Sequence, residues 1–240
     1  DGPSATRPLF VSSFAGLNGQ PALRFDRASN DLLQVPSDEL INADDDGYPR
    51  KTITLVFRTG SNVSDLQMLY EQGGGNGFNV YLIGGEVVAT AGDSGWSRFG
   101  VRSAVSTNTS YILTFVFDKD ATNQLELFLN GSSVDVVSGE STIDVVRSHS
   151  NPRAIGNIAD ATQLDPRDGN GTDPFDVSAD TLDAGFDGHI AELISTNAAL
   201  NTAQRQVLES DLSRPYFSGS TTPTFAALNA GIRRYTFTNF

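Results

Sequence analysis

Short segments of the chain alternate between apolar and polar residues, and turn residues separate these segments. In segment 21–26, for example, Leu23 and Phe25 alternate with Arg24. Such segments recur about every 8–12 residues, a spacing typical of a β-sandwich or barrel. The remaining predicted strands are 52–58, 67–71, 77–83, 86–91, 110–118, 124–129, 133–137, 154–156 and 188–196.

Two dipeptides between predicted strands indicate tight hairpins. Gly84-Gly85 separates 77–83 from 86–91, and Asn130-Gly131 follows the strand 124–129. Two-residue hairpin turns need positive φ angles, which glycine and asparagine adopt most readily. We therefore expect antiparallel pairing on both sides of each dipeptide.

One segment, 202–214, is predicted to be a helix. Asn201 can cap it and Gln204 completes a capping box. The proline at position 215 would end the helix. The predicted apolar face consists of Ala203, Val207, Leu208 and Leu212.

Four pieces of sequence, taken in order, resemble a known fold family. They are 16–26, 125–131, 186–193, and Ala199-Leu200 followed by Arg205, Leu208, Leu212 and Tyr216. Together they resemble the concanavalin A-like, laminin-G-like jelly roll of bacterial extracellular proteins. The resemblance implies an all-β, two-sheet antiparallel jelly-roll sandwich with one short helix near 202–214.

The two ends of the chain bear on this expected fold. Family members carry a strand before the first piece, but only about 15 residues precede Gly16. We therefore expect this strand to be missing or cleaved away, which would leave an open sheet edge. We expect a domain over 1–216 and, over 217–240, a linker with a β-prone tail. Through Tyr235, Phe237 and Phe240, this tail could complete a sheet in its own subunit or in a neighbour.

Composition narrows the function classes. The 240 residues carry a net charge of −13 and no cysteine, which excludes thiol catalysis and cysteine-bound metals. We find no basic patch and no apolar run long enough to span a bilayer, so nucleic acid and a membrane span are not expected. The start at Asp1, without an initiator Met, suggests a processed, secreted protein of the extracellular space or cell surface.

Aspartate is far more frequent than glutamate, with 22 residues against 7. Eight of them lie in 160–187, where glycines punctuate closely spaced oxygen ligands of the kind that Ca²⁺ needs. The alternative is an acidic solvated loop. The candidate calcium ligands are Asp165, Asp168, Asn170, Asp173 and Asp176.

Ligand recognition has a second candidate region at 91–100, which reads as a Gly/Ser-rich loop. It contains the only tryptophan, Trp96, between Asp93 and Arg98. Aromatic side chains on loops stack on sugars or anchor protein partners. The alternative is an ordinary core or edge tryptophan.

Catalytic motifs are absent from the sequence. The Glu-x-Asp-x-x-Glu strand of glucanases of this fold does not occur, and Glu71, Glu126 and Glu192 stand on separate strands. The sequence therefore predicts a non-enzymatic extracellular ligand-binding or adhesion module, stabilised by calcium, that recognises a glycan or a protein surface. One alternative is a subunit of a surface layer, filament or virion coat that self-associates through its tail. A weaker one is a glycan hydrolase or lyase.

Overall fold

The fold is taken from a computed structural model of the chain. The described residues are 6–35, 47–93, 97–138, 143–149, 152–165, 175–178, 183–218 and 232–236. Of residues 97, 175–178, 218 and 232–236, only the backbone is described.

Strands account for most of the described chain. They are β1 (Leu9–Phe14), β2 (Gln20–Phe25), β3 (Leu33–Gln34), β4 (Arg50–Thr59), β5 (Gln67–Gln72), β6 (Gly77–Ile83), β7 (Glu86–Asp93), β8 (Ser97–Ala104), β9 (Ser110–Asp118), β10 (Asn123–Leu129), β11 (Ser132–Ser138), β12 (Arg153–Ile155), β13 (Ala161–Leu164), β14 (Phe175–Ser178), β15 (Gly188–Thr196) and β16 (Ile232–Thr236). The α-helix α1 spans Thr202–Ser213.

Across the described ranges, these strands form two main antiparallel sheets. Sheet A has the order β1-β2-β15-β4-β9-β10-β11, and sheet B has the order β3-β12-β5-β6-β7-β8. The short pair β13-β14 stands apart from both sheets. This architecture confirms the predicted all-β, two-sheet antiparallel sandwich with one short helix.

The main core lies between the sheets and follows from strand alternation. Leu55 and Phe57 of β4 belong to this core, whereas Val56 between them belongs to a second cluster under α1. From sheet B, the Phe78 ring meets the rings of Phe115 and Phe117 at centroid distances of 6.3 and 5.8 Å. Both faces of sheet A are thus apolar where another element covers them.

Both predicted hairpins are present. Gly84 and Gly85 have φ angles of 61° and 85°, and Asn130 and Gly131 have φ angles of 51° and 83°. The strands on either side pair antiparallel. The dipeptides therefore adopt the positive φ angles that they were predicted to supply.

Helix α1 has the predicted capping box but a different buried face. The Gln204 N–H donates to Asn201 Oδ1 at 3.0 Å, and the Asn201 N–H donates to Gln204 Oε1 at 3.1 Å. Leu208 and Leu212 are buried, but Val207 is 47% exposed, so its assignment to the buried face was wrong. Ala203 is exposed as well, and Arg205 and Glu209 are buried in their place.

Three segments are more regular than the sequence indicated. A strand does precede the first family piece, because β1 pairs with β2; the expectation of a missing N-terminal strand was wrong. Much of the segment predicted as a loop over 91–100 belongs to β7 and β8. Strands β13 and β14 interrupt the acidic segment 160–187.

Strand β16 of the tail pairs with β15 of the same chain. On one edge, β15 pairs with β4 along its whole length. On the other edge, β2 pairs with Gly188–Ile190 and β16 with Glu192–Thr196. The tail strand therefore fills the part of this edge that β2 leaves open.

Candidate functional site

A row of buried polar side chains crosses the outer face of sheet B. Glu71, Asn79 and Thr90 stand in register on β5, β6 and β7, and none of them is exposed. Their strand neighbours Phe78 and Ala91 belong to the core between the sheets. Because side chains alternate along a strand, the polar row points away from that core.

Strand β13 covers this polar row. Asn79 Nδ2 donates to Thr162 Oγ1 at 2.9 Å and to the Gln163 carbonyl at 2.8 Å. The Thr162 hydroxyl donates to the Gly73 carbonyl at 2.8 Å. These hydrogen bonds satisfy polar groups that burial would otherwise penalise.

Glu71 is the exception within this row. Among the described residues, neither of its carboxylate oxygens has a hydrogen-bond partner. Burial raises the pKa of Glu71 to about 8, and the positive charges of Arg153 and Arg98 oppose this rise only in part. The folded protein therefore holds this carboxyl group protonated at neutral pH.

Arg98, predicted to bind ligand, lies on β8 and is only 2% exposed. Its Nη1 donates to Thr90 Oγ1 at 2.9 Å, and its Nη2 donates to the carbonyls of Gly74 and Gly75 at 3.1 and 3.4 Å. A side chain at Gly92 would collide with this guanidinium, since its Cβ would lie 2.7 Å from Nη2. Arg98 thus ties the glycine turn after β5 to the β7–β8 hairpin.

Asp93, the second predicted ligand-binding residue, lies at the end of β7. Its Oδ1 is 3.9 Å from Arg147 Nε, and the Arg147 side chain is 59% exposed. In the same region, Asn76 Nδ2 donates to the Ser148 carbonyl at 3.4 Å. Trp96 lies outside the described residues.

Three segments therefore meet at one end of sheet B. They are the glycine turn 73–77, the ends of β7 and β8 at 93 and 97–98, and the segment 146–149; we call them the sheet B rim. A side chain at Gly73 would meet the His149 ring at 2.5 Å, so the first and third segments are closely apposed. The rim carries charged groups at the surface over a base tied together by Arg98.

The predicted calcium ligands are only partly described. Asp165 is 1% exposed, and its Oδ2 lies 3.8 Å from Arg102 Nη2. Asp176 pairs through its backbone with Gln163. Asp168, Asn170 and Asp173 lie outside the described residues. In the part of the chain that is described, no group of three or more acidic or histidine side chains could hold a metal. Calcium binding by this segment stays a prediction.

The predicted assembly residues lie at the end of the chain. Tyr235 pairs through its backbone with Leu193, and Phe237 and Phe240 lie outside the described residues. None of the described helices is long and apolar enough to cross a membrane.

Sequence reasoning missed the role of Glu71 and of the Arg102–Asp165 contact. In the sequence, Glu71 is an isolated glutamate in a predicted strand. Its place between β6 and β12 removes it from solvent, and that place depends on strand order. The glycine at position 100 is a partial sequence signal of the close approach of Asp165 to β8. Any larger residue there would collide with Asp165, because its Cβ would lie 2.4 Å from Oδ2.

No protein-family model matches the sequence, and a comparison with curated proteins finds no match. Solved structures do match. The binding domain of botulinum neurotoxin DC in complex with SialylT has a TM-score of 0.55 at 12% identity, covering 80% of this chain and 42% of that one. The botulinum neurotoxin serotype G binding domain has a TM-score of 0.56 at 12% identity, covering 85% and 45%.

The serotype D/C VPI 5993 binding domain has a TM-score of 0.56 at 12% identity, covering 80% of this chain and 43% of that one. The chain thus spans less than half of the length of each of these three structures. At this identity the likeness shows the fold alone, an antiparallel β-sandwich. The finer concanavalin A-like, laminin-G-like assignment stays a prediction.

Proposed function

We propose that this chain is a non-enzymatic, extracellular module that binds a glycan at the sheet B rim. The observation that carries the proposal is the set of hydrogen bonds from Arg98, which tie the glycine turn to the β7–β8 hairpin beneath the rim. Binding loops that are already ordered lose less conformational entropy when a ligand arrives.

The chemistry of the rim suits a glycan. Asp93 and Arg147 offer acceptors and donors that can bind hydroxyl groups, and the single tryptophan lies in the connection between β7 and β8. Sugar sites combine such polar groups with an aromatic ring that packs on the sugar face. Among the matching structures, the botulinum neurotoxin DC binding domain is in complex with SialylT in one and with rat synaptotagmin II in another. A protein surface is therefore the competing ligand.

A glycan array tests the proposal. We expect Trp96→Ala and Arg147→Ala to weaken binding of the best glycan at least about tenfold, a loss of ~1.4 kcal/mol. Arg24→Ala is the matched control, because Arg24 is 50% exposed and also faces an aspartate, Asp26, at 3.9 Å. Binding of a protein partner without any glycan would contradict the choice of a glycan as the ligand. An equal loss of glycan affinity in all three variants would contradict the placement of the site at the sheet B rim.

Calcium belongs to this proposal as a stabiliser of the loop around 165–176. Its support is the oxygen-rich sequence; Asp165 itself faces Arg102, so the remaining candidates would supply most ligands. We expect CaCl₂ to raise the melting temperature relative to EDTA, and Asp168→Asn with Asp173→Asn to remove the shift. Asp144→Asn, at an exposed aspartate that pairs with Lys119, is the control. Identical melting in CaCl₂ and EDTA would rule calcium out.

A structural subunit that assembles through its tail is the second candidate. It is favoured by one observation: β16 occupies a position on β15 that a strand from a neighbouring copy could also fill. Light scattering of the full chain and of a chain without the tail separates the two candidates.

A further inference from the structure

A groove of about 420 Å³ runs between α1 and the turn that joins β10 to β11. It lies on the outer face of sheet A, whereas the sheet B rim belongs to the other sheet. Its volume falls within the range of roughly 300–1,000 Å³ that small-ligand sites occupy. Its lining includes Ile112, Gln206, Glu209, Ser210, Ser213 and Phe217.

Helix α1 and the helical turn after it supply most of this lining. Gln206, Ser210 and Ser213 follow one another at intervals of three or four residues, so they share one side of α1. Phe217 lies in the π-helical turn Arg214–Ser218 that continues the helix. Across the described residues, the side chains of Gln206, Ser210 and Ser213 make no hydrogen bond. Phe217 is 41% exposed. The groove therefore offers an aromatic ring beside donors and acceptors that no described group engages.

At the base of the groove, the negative charge of Glu209 is balanced by the positive charge of Arg205. Glu209 Oε2 accepts a hydrogen bond from Arg205, whose guanidinium lies 3.6 Å from the Phe128 ring centroid. Arg205 Nη1 also approaches the Gly131 carbonyl at 3.4 Å. The other Glu209 oxygen, Oε1, is buried and has no hydrogen-bond partner among the described residues. No uncompensated cation in this lining would attract an anion, and the chain as a whole carries a charge of −13.

We propose that this groove binds a neutral saccharide of one or two rings. Phe217 would pack on a sugar face, and Gln206, Ser210 and Ser213 would exchange hydrogen bonds with hydroxyl groups. Anionic sugars are disfavoured because no cation among the described residues lines the groove to bind them and the net charge of −13 repels them. The site is independent of the rim and goes beyond the function proposed for it.

Saturation-transfer NMR and calorimetry with lactose, cellobiose and maltose test this site, with sialyllactose as the anionic comparison. We expect at least one neutral disaccharide to bind and sialyllactose to bind more weakly at this site. Phe217→Ala should weaken binding about tenfold, and Ser210→Trp should abolish it by filling the groove. Val207→Ala is the matched control, because Val207 is exposed on the same helix but does not line the groove.

Two further readouts keep the outcomes distinct. Trp96→Ala should leave disaccharide binding unchanged, so that failure of the rim proposal does not count against the groove. Near-ultraviolet circular dichroism confirms that each variant is folded, and Ser210→Trp replaces Phe217→Ala if the latter does not fold. Absence of binding by all three neutral disaccharides, or equal affinity in the Phe217→Ala and Val207→Ala proteins, would overturn the proposal.

Discussion

Single residues on sheet B show how burial decides protonation. Asn79 and Thr90 find partners on β13 and β8, whereas Glu71 finds none among the described residues. A carboxyl group without partners is far cheaper to bury neutral than charged. Glu71 therefore binds a proton more tightly in the folded protein than in the unfolded chain.

The first prediction concerns Glu71→Gln. Because the folded pKa of about 8 exceeds the ordinary value of 4.5, the contribution of Glu71 to stability is fully present below about pH 4.5 and is lost as pH rises towards 8. We expect the variant to match the wild type at pH 5 more closely than at pH 9, where it should be roughly 2–4 kcal/mol more stable. Urea unfolding at several pH values measures this. The control is Glu86→Gln, at a partly exposed side chain on β7, which should keep the wild-type dependence of the unfolding free energy on pH. The same dependence in the Glu71→Gln protein would contradict the argument.

His189 has the opposite dependence on pH. Its ring stacks on Phe14 with centroids 3.7 Å apart and planes 9° apart. Burial, together with the charges of Arg24 and Arg58, lowers the pKa of His189 to about 4. Stability from this residue is therefore present above pH 6.5 and is lost as pH falls towards 4.

The second prediction follows for His189→Phe. The phenylalanine keeps the aromatic stack but cannot bind a proton. Between pH 7 and pH 4, the fall in the free energy of unfolding should therefore be about 1–3 kcal/mol smaller in the variant than in the wild type. Phe14→Leu keeps the histidine and should therefore retain much of the acid sensitivity. Thermal unfolding across this pH range gives the comparison. If stability falls with pH in parallel for the wild type and His189→Phe, His189 is not the source of the acid sensitivity.

At the scale of elements, α1 combines a local signal with a tertiary one. The capping box at Asn201 and Gln204 depends only on residues close in sequence, so it could be predicted. The buried face could not, because Arg205 and Glu209 are buried as a pair against Phe128 and the β10–β11 turn. An ion pair satisfied in this way can replace apolar residues on a helix face.

The third prediction tests the cap. Asn201→Ala removes the acceptor for the Gln204 N–H and should lower the free energy of unfolding by about 1 kcal/mol. Asn201→Asp should restore most of it, since aspartate caps helices as well as asparagine does. Denaturant unfolding measures both, with Thr202→Ala as the neighbouring control. An Asn201→Ala protein as stable as the Thr202→Ala protein would show that the cap contributes nothing measurable.

Strand β8 shows why some elements escape sequence reasoning. Its glycine and two arginines weaken the alternation, so the sequence does not predict a strand there. In the structure, Gly100 makes room for Asp165 and Arg98 bonds to the glycine turn. The polar side of β8 is thus buried by β13 and the turns, which lie far away in sequence.

At the scale of the whole molecule, the tail strand decides whether the edge of β15 beyond β2 is paired. Without β16, the backbone of Glu192–Thr196 would lose its partner on one edge. Unpaired strand edges recruit other chains. Pairing within the same chain is favoured by a high effective concentration.

The fourth prediction concerns a chain truncated after Ser218. If the tail acts within its own chain, the full chain should be monomeric and the truncated chain should self-associate and unfold at lower temperature. If the tail joins neighbouring copies, the full chain should assemble and truncation should abolish assembly. Light scattering in calcium and in EDTA distinguishes these outcomes, and loss of assemblies in EDTA would place calcium at the contacts. Removal of 237–240 alone keeps β16 and tests whether Phe237 and Phe240 contribute.

The class of fold, the positions of most strands, both glycine hairpins and the helix cap could be predicted from the amino-acid sequence alone. Each depends on alternation or on backbone angles within a few residues, which a local pattern records. Three features could not be predicted in this way: Glu71 is buried without a hydrogen bond from the described residues, Arg98 faces inward, and β16 fills the edge of β15. Those features depend on which distant segments become neighbours, and burial and strand order are properties of the assembled sheets.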